Sequence, residues 1–200
     1  MIKCNVTVYG RIKSHPEIRT NAEQKKFLSM LLSVEIVDSN GQKESVEVSL
    51  SKKEFAQNEL CLYKLDDTIE VKGDLLIRKK EDKIYLNLYA SQIKPITEIP
   101  QHGIRGDMMF RGKVGKNIEE KTGKSGKPFV HFSAFSAEKV AESFEYVWVN
   151  FILSEDLKTE WLKPETKLEV EGDFSISLFK GKVSLTCFPK SLKQHIAESN

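Results

Sequence analysis

Thr68-Ile69-Glu70-Val71-Lys72-Gly73-Asp74-Leu75 returns 99 residues later as Lys167-Leu168-Glu169-Val170-Glu171-Gly172-Asp173-Phe174. The same shift carries Lys83-Ile84-Tyr85-Leu86 onto Lys182-Val183-Ser184-Leu185, and Ile93-Lys94 onto Leu192-Lys193. Towards the front of each half the shift widens. Tyr9-Gly10-Arg11-Ile12 lies over Arg111-Gly112-Lys113-Val114 and Phe27 over Phe129 at 102 residues, and Val46-Glu47-Val48-Ser49-Leu50-Ser51 lies over Val149-Asn150-Phe151-Ile152-Leu153-Ser154 at 103. Chance supplies one Gly-Asp match; colinear blocks that keep their apolar phase mark a duplicated unit. Between the copies, Lys94 to Gly103 contains Pro95 and Pro100, which remove backbone donors and hold the preceding residues extended. The division expected is therefore 1–97 for the first domain, 98–105 for a linker and 106–200 for the second domain.

Within a copy the apolar period is two, the mark of half-buried strands. Val6 and Val8 alternate with Thr7 and Tyr9, and Val46, Val48 and Leu50 with Glu47 and Ser49. Asp38-Ser39-Asn40-Gly41 separates two such runs, and Asn-Gly favours a tight hairpin because both residues accept positive φ. After the third strand, Ser51-Lys52-Lys53-Glu54 has the spacing of a capping box. Ser154-Glu155-Asp156-Leu157 offers an N-cap with acids in the first turn. A short helix is expected at both places. A last hairpin should turn near Glu81-Asp82-Lys83 and Lys180-Gly181-Lys182. Three strands, a short helix and two strands is the order of an OB-fold, a five-stranded Greek-key barrel. The chain thus reads as all-β with two tandem OB-folds, other five-stranded barrels such as SH3-like ones remaining open. Gly10 and Gly112 read as points where each first strand bends or a backbone comes close.

Composition excludes several classes. With 40% hydrophobic and 30% charged residues over 200 positions, the chain can bury a core and holds no apolar run long enough to span a membrane. It opens directly into strand-like sequence without a signal peptide, so a cytoplasmic location is expected and no membrane partner. Cys4, Cys61 and Cys187 are odd in number and far apart, and read as reduced core thiols. The formal charge is only +2, from 31 basic and 29 acidic residues, so any basic surface must arise from arrangement. Gly123-Lys124-Ser125 fails as a phosphate loop because position 118 is Ile118 rather than glycine. His15, His102, His131 and His195 show no triad or metal pattern. No catalytic constellation, metal site or cofactor fingerprint is present in the sequence, and an enzyme is not expected.

Gly10-Arg11-Ile12 followed by His15-Pro16-Glu17-Ile18-Arg19, Ser125-Gly126-Lys127 leading to Phe132-Ser133, Trp148-Val149, and the Val-x-Gly of Val71-Gly73 and Val170-Gly172 together resemble the bacterial single-stranded DNA-binding protein family over nearly the whole chain. The resemblance implies sequence-independent binding of single-stranded DNA in replication, repair or recombination. It also implies a homodimer, because family assemblies present four OB-folds and this chain supplies two. His15 stands where the family has Asp, and the first copy has no tryptophan. The closing Gln194–Asn200 carries no acidic tip, so recruitment of repair enzymes by that route is not expected.

Binding of this kind needs a cationic groove and aromatic faces on which bases stack. Residues 1–100 hold 6 aromatics and residues 101–200 hold 12, which makes the second copy the expected base platform. Phe110, Phe132, Phe151 and Phe174 fall on core phases. Trp148, Phe179 and Tyr85 match family positions on the binding face or last hairpin and are the expected stackers; Trp161 fits core and platform equally. The loops flanking an OB-fold's nucleic-acid face carry Arg11, Lys13, Arg19, Lys25, Lys26, Arg78, Lys79 and Lys80 in the first copy. In the second copy they carry Lys113, Lys116, Lys121, Lys124 and Lys127, with Lys180 and Lys182 in the last hairpin. Gly123 and Gly126 suggest a flexible loop there. Two rival readings stay open at this stage: a protein-interaction scaffold, and binding of single-stranded RNA.

Overall fold

A computed structural model describes residues 1–37, 41–81, 83–100, 103–123, 125–140, 143–179 and 182–196, with the side chains of Val140, Ser143 and Phe179 left aside. The first copy consists of β1 (Ile2–Ile12), the short β2 (Glu17–Thr20), β3 (Lys26–Val37), β4 (Lys43–Lys52), β5 (Thr68–Lys80) and β6 (Lys83–Pro95). The second consists of β7 (Ile104–Thr122), β8 (Pro128–Val140), β9 (Ser143–Ser154), β10 (Lys167–Phe179) and β11 (Lys182–Gln194).

Each copy closes on itself. In the first, β1 meets β3 at Arg11↔Ser33 and Ile12↔Leu32, β3 is hairpinned to β4, and β4 runs parallel to β6 from Val48↔Leu86 to Ser51↔Tyr89. β6 then pairs with β5 and β5 returns to β1. The second copy repeats the circuit through β7, β8, β9, β11 and β10, with β9 and β11 parallel at Thr186↔Asn150. A closed five-stranded barrel whose third and fifth strands run parallel is the OB-fold, so the SH3-like alternative is set aside. β2 adds a ribbon to the start of β3.

The period of two does its work inside each barrel. Val6, Val8, Leu32, Val34, Val48, Leu50, Ile69, Val71 and Leu88 fill the first. In the second, Phe110, Phe132, Phe151 and Phe174 are buried, as their phases require. Phe151 meets Phe110 edge-on and stacks on Phe132, both with ring centroids 5.0 Å apart. Gly112 is a point of close approach: a Cβ there would stand 2.2 Å from the Phe135 carbonyl oxygen and 2.5 Å from the Phe110 ring.

Two expectations need correction. The helix after the third strand is a single 3₁₀ turn in each copy, Gln57–Cys61 and Glu155–Leu157. Ser51 and Lys52 are consumed by pairing with Ser29 and Leu28 in the β3–β4 ladder, so the capping box read there does not form. Glu59 instead accepts from the Ala56 N–H at 2.9 Å and from Lys52 at 2.6 Å. Ser154 does precede its turn, but its hydroxyl caps nothing. The cysteines also divide: Cys4 and Cys187 are buried, whereas Cys61 is exposed at the end of its turn. Burial is the main reason that both inner thiols are pushed up to about 12.

The barrels share a seam. β1 and β7 pair antiparallel from Ile2↔Phe110 to Val8↔Ile104, joining all eleven strands into one sheet. This register sets Asn5 against Asp107, which are the same position in the two copies, so a local twofold axis passes between them. Across the six strands at the seam one row then reads Tyr89, Asp74, Asn5, Asp107, Asp173, Phe188. Asn5 donates to Asp74 at 3.1 Å, and Lys190 spans Asp107 and Asp173 at 3.1 and 2.6 Å.

Candidate nucleic-acid interface

The outward phase of β8 and β9 is aromatic. Phe135 stands opposite Trp148, and Tyr146 lies one outward position further along β9. The Phe135 ring lies 5.0 Å from Trp148, tilted by 49°, and 5.5 Å from Tyr146, nearly perpendicular at 74°. Trp148 and Tyr146 remain 47% and 48% exposed, and Phe144 extends the row at 57%. Their inward neighbours Val147, Val149 and Phe151 are buried, so the fold already has its core and gains nothing from leaving these rings in water. A contiguous exposed patch of this kind marks an interaction surface.

Cations rim the patch. Lys113 on β7 lies across from Phe135, held by Glu165. Lys139 lies across from Phe144, and Lys182 is exposed on β11; neither has an acidic partner among the described residues. Gly115 leaves room on β7 for the Trp148 ring, which a Cβ there would approach to 3.0 Å. Of the residues singled out from the sequence, Trp148 and Lys113 come together on this face; Phe135, Phe144, Tyr146 and Lys139, which the sequence analysis does not single out, lie beside them. Their signal was present: Phe144-x-Tyr146-x-Trp148 is an alternation of its own, out of phase with the core.

The corresponding face of the first copy is polar. Its outward positions are Ser33, Glu35, Ser45 and Glu47; Lys13 is bound by Glu47, Lys43 reaches Glu35 at 3.1 Å, and the Ser33 and Ser45 hydroxyls bond to each other. Arg11 stands beside Ser33, exposed. The first copy's exposed aromatics lie on β6 instead: Tyr89 in the seam row opposite Asp74 and, in the last hairpin, Tyr85, 48% exposed, opposite Arg78. Lys80 faces Lys83 there, while Lys79 falls on the opposite phase of β5 from Arg78.

The remaining candidates are scattered. Arg19 is held by Glu17, Lys25 by Glu23 at 2.9 Å and Lys121 by Glu119 at 2.6 Å, all on exposed surface where such pairs contribute little. Lys26, Lys116 and Lys127 are exposed on the two ribbons that precede β3 and β8. The flexible loop expected around Gly123 and Gly126 is a tight hairpin instead. β7 runs on to Thr122, which pairs with Pro128, and the Gly123 N–H donates to the Lys127 carbonyl at 2.9 Å. Long antiparallel pairing fixes these lysines on a ribbon. Trp161 is half-buried and packs against the core. Lys124, Lys180 and the side chain of Phe179 lie outside the described residues. His131 lies on the outward phase of β8 opposite Glu119; burial first, then the Lys121 charge, hold its pKa below the usual 6.5.

No protein-family model and no curated protein matches the chain. Among solved structures, it is similar to the wild-type single-stranded DNA binding protein from Thermus aquaticus, at 18% identity and a TM-score of 0.48, covering 98% of this chain and 95% of that one. It is also similar to the small single-stranded DNA-binding protein from Streptomyces coelicolor, at 14% identity and a TM-score of 0.38 over 48% of this chain and 92% of that one. A Plasmodium falciparum protein of the same description, in complex with single-stranded DNA, matches at 16% identity and a TM-score of 0.32 over 46% and 92% of the two chains. Among the described residues no helix is long and apolar enough to cross a membrane, and no cluster of His, Cys, Asp or Glu is placed to hold a metal ion.

Proposed function

We propose that this protein binds single-stranded DNA without sequence preference, acting in the cytoplasm on strands exposed during replication, repair or recombination. The observation that carries this reading is the row Phe144, Tyr146 and Trp148, three aromatic rings about half exposed on one barrel face, joined by the partly buried Phe135 and flanked by Lys139 and Lys113. Every base has a π-face, so stacking on such a row is tolerant of sequence and contributes about 1–3 kcal/mol per base. Lys139, which has no acidic partner among the described residues, supplies the phosphate contact, while Lys113 is shared with Glu165. The acidic, polar face of the first copy is poorly suited to the same task.

The test is quenching of Trp148 fluorescence by oligo(dT), repeated across salt concentrations, with a duplex of equal length as competitor. Log affinity is expected to fall with log salt at a slope of about −0.7 per phosphate neutralised. A slope near zero, or competition by duplex as strong as by single strand, would overturn the reading. An oligo(rU) arm separates DNA from RNA, and absence of any quenching at low salt returns the face to the protein-docking alternative.

The resting assembly proposed is a homodimer presenting four barrels. Support comes from the outer surface around Asn5 and Asp107, where Tyr89, Met109 and Phe188 stay 46%, 49% and 45% exposed. Tyr89 and Met109 line a groove of about 590 Å³ there. An isologous contact would bury this patch against the same patch of a second chain. Light scattering should report twice the chain mass for the native protein and the single chain mass for Met109→Glu combined with Phe188→Glu. A native monomer would remove the proposal.

A further inference from the structure

Resting on the reading above, we propose that the two copies do not carry two equivalent sites but build one composite strand path, running from the β8–β9 aromatic row of the second copy onto the Arg78–Tyr85 hairpin of the first. The first support lies in which positions the duplication kept. Two independent sites would repeat their stacking residues. Here the counterpart of Trp148 in the first copy is Ser45, and the counterpart of Tyr85 in the second is Ser184. Each copy holds an aromatic where the other holds a small hydroxyl residue, a complementary pattern rather than a repeated one.

The second support is placement. Beyond the β1–β7 seam, β9 comes against β5, with Cα atoms within 8 Å, and β5 is the strand that carries Arg78 and Lys80. β8 extends past its last pairing with β7 at Phe135, yet Ser136 and Val147 on the inward phase of the extension are buried, and Ser136 accepts a hydrogen bond from the Met1 amino group. The hairpin is thus seated on the first copy by its inward face, leaving Tyr146 and Phe144 open on the other. On the opposite side of the seam, the end of β3 approaches β10 around a cavity of about 250 Å³ lined by Ile36, Val37, Ser175 and Ser177, with Arg105 as its one cation and no aromatic.

The third support is charge. Arg78, Lys80 and Lys83 have no ion pair among the described residues, whereas Lys13 and Lys43 on the first copy's own polar face are taken by Glu47 and Glu35. A strand leaving the aromatic row for the first copy therefore meets free cations at the hairpin and neutralised ones on the β3–β4 face. Counterion release favours the former.

The experiment uses the full chain and two oligo(dT) lengths, about 4 nucleotides, the low end of one fold's site, and about 32, twice its high end, so that the longer strand must reach both copies. Arg78→Ala combined with Tyr85→Ala is expected to leave the affinity for the short strand within about twofold of native and to weaken the long strand about tenfold or more. Lys80→Gln with Lys83→Gln, both on exposed positions, repeats the test without touching the packing of Tyr85. Long-strand affinity unchanged in both variants overturns the composite path, and so does equal weakening of short and long strands. Native protein that binds neither length would sink the proposed function itself, an outcome distinct from either of these.

Discussion

Alanine at Phe135, Tyr146 and Trp148 together is expected to weaken oligo(dT) binding about a thousandfold while leaving the barrel folded. Each stacked base is worth about 1–3 kcal/mol, and about 1.4 kcal/mol is one decade in affinity, so three platforms acting independently span roughly two to six decades. The three rings touch one another at 5.0 and 5.5 Å, so their losses will not add fully and the lower half of that span applies. Stability should change little, because the rings lie on the solvent side of strands whose inward residues Val147, Val149 and Phe151 stay in place. Trp148→Ala alone should cost about tenfold and remove most of the quenching, since Trp161 is packed against the core. Triple-variant affinity within about threefold of native, with an unchanged melting temperature, would remove this face from the site.

Much of this was legible in the chain because it is carried by period and repetition. The duplicated Glu-Val-x-Gly-Asp blocks announced two units, and the alternation of Val6, Val8, Val48 and Leu50 announced strands. The order of elements then led to the OB-fold, and the four core phenylalanines followed from phase. What the chain did not show is which charges are cancelled. Lys13 loses its freedom to Glu47, which arrives from another strand 34 residues away, and no local pattern reports such a partner. The reverse holds for Arg78 and Lys80, which read as one basic run with Lys79 although strand alternation sends Lys79 to the other phase. Phe135 depends on a long-range partner in the same way. Phase puts Phe132 of β8 in the core and Phe135 on the outward side, but only the register against β9 sets Phe135 opposite Trp148. The single 3₁₀ turn where a helix was expected reflects ladder pairing winning over a capping pattern: Ser51 has a strand partner available, and a lone helical turn is weak by itself.

The seam was the least visible feature, because nothing in β1 or β7 says which edge each will use beyond its own barrel, and its decisive residue is a glycine. A Cβ at position 106 would stand 2.0 Å from the Asn5 carbonyl oxygen and 2.7 Å from the Val6 Cα. Both atoms are backbone, held in the β1–β7 ladder on one side and in β1–β5 pairing on the other, so neither can yield by a side-chain rotation. The counterpart of Gly106 in the first copy is Cys4, which carries a side chain without difficulty, so the requirement belongs to this contact and not to the barrel. Gly106→Ala is therefore expected to cost about 3 kcal/mol, the upper end of ordinary overpacking. The loss should take a particular form. β1 keeps β5 and β7 keeps β10, so each barrel retains its own closure; the native chain is expected to unfold in urea in a single cooperative transition, and the variant in two. If the seam also aligns the strand path, the same substitution should weaken binding of a long oligonucleotide while sparing a short one. A variant that unfolds in one transition at the native midpoint would show that the β1–β7 contact contributes nothing to coupling the barrels, and that the two copies are joined by their linker alone.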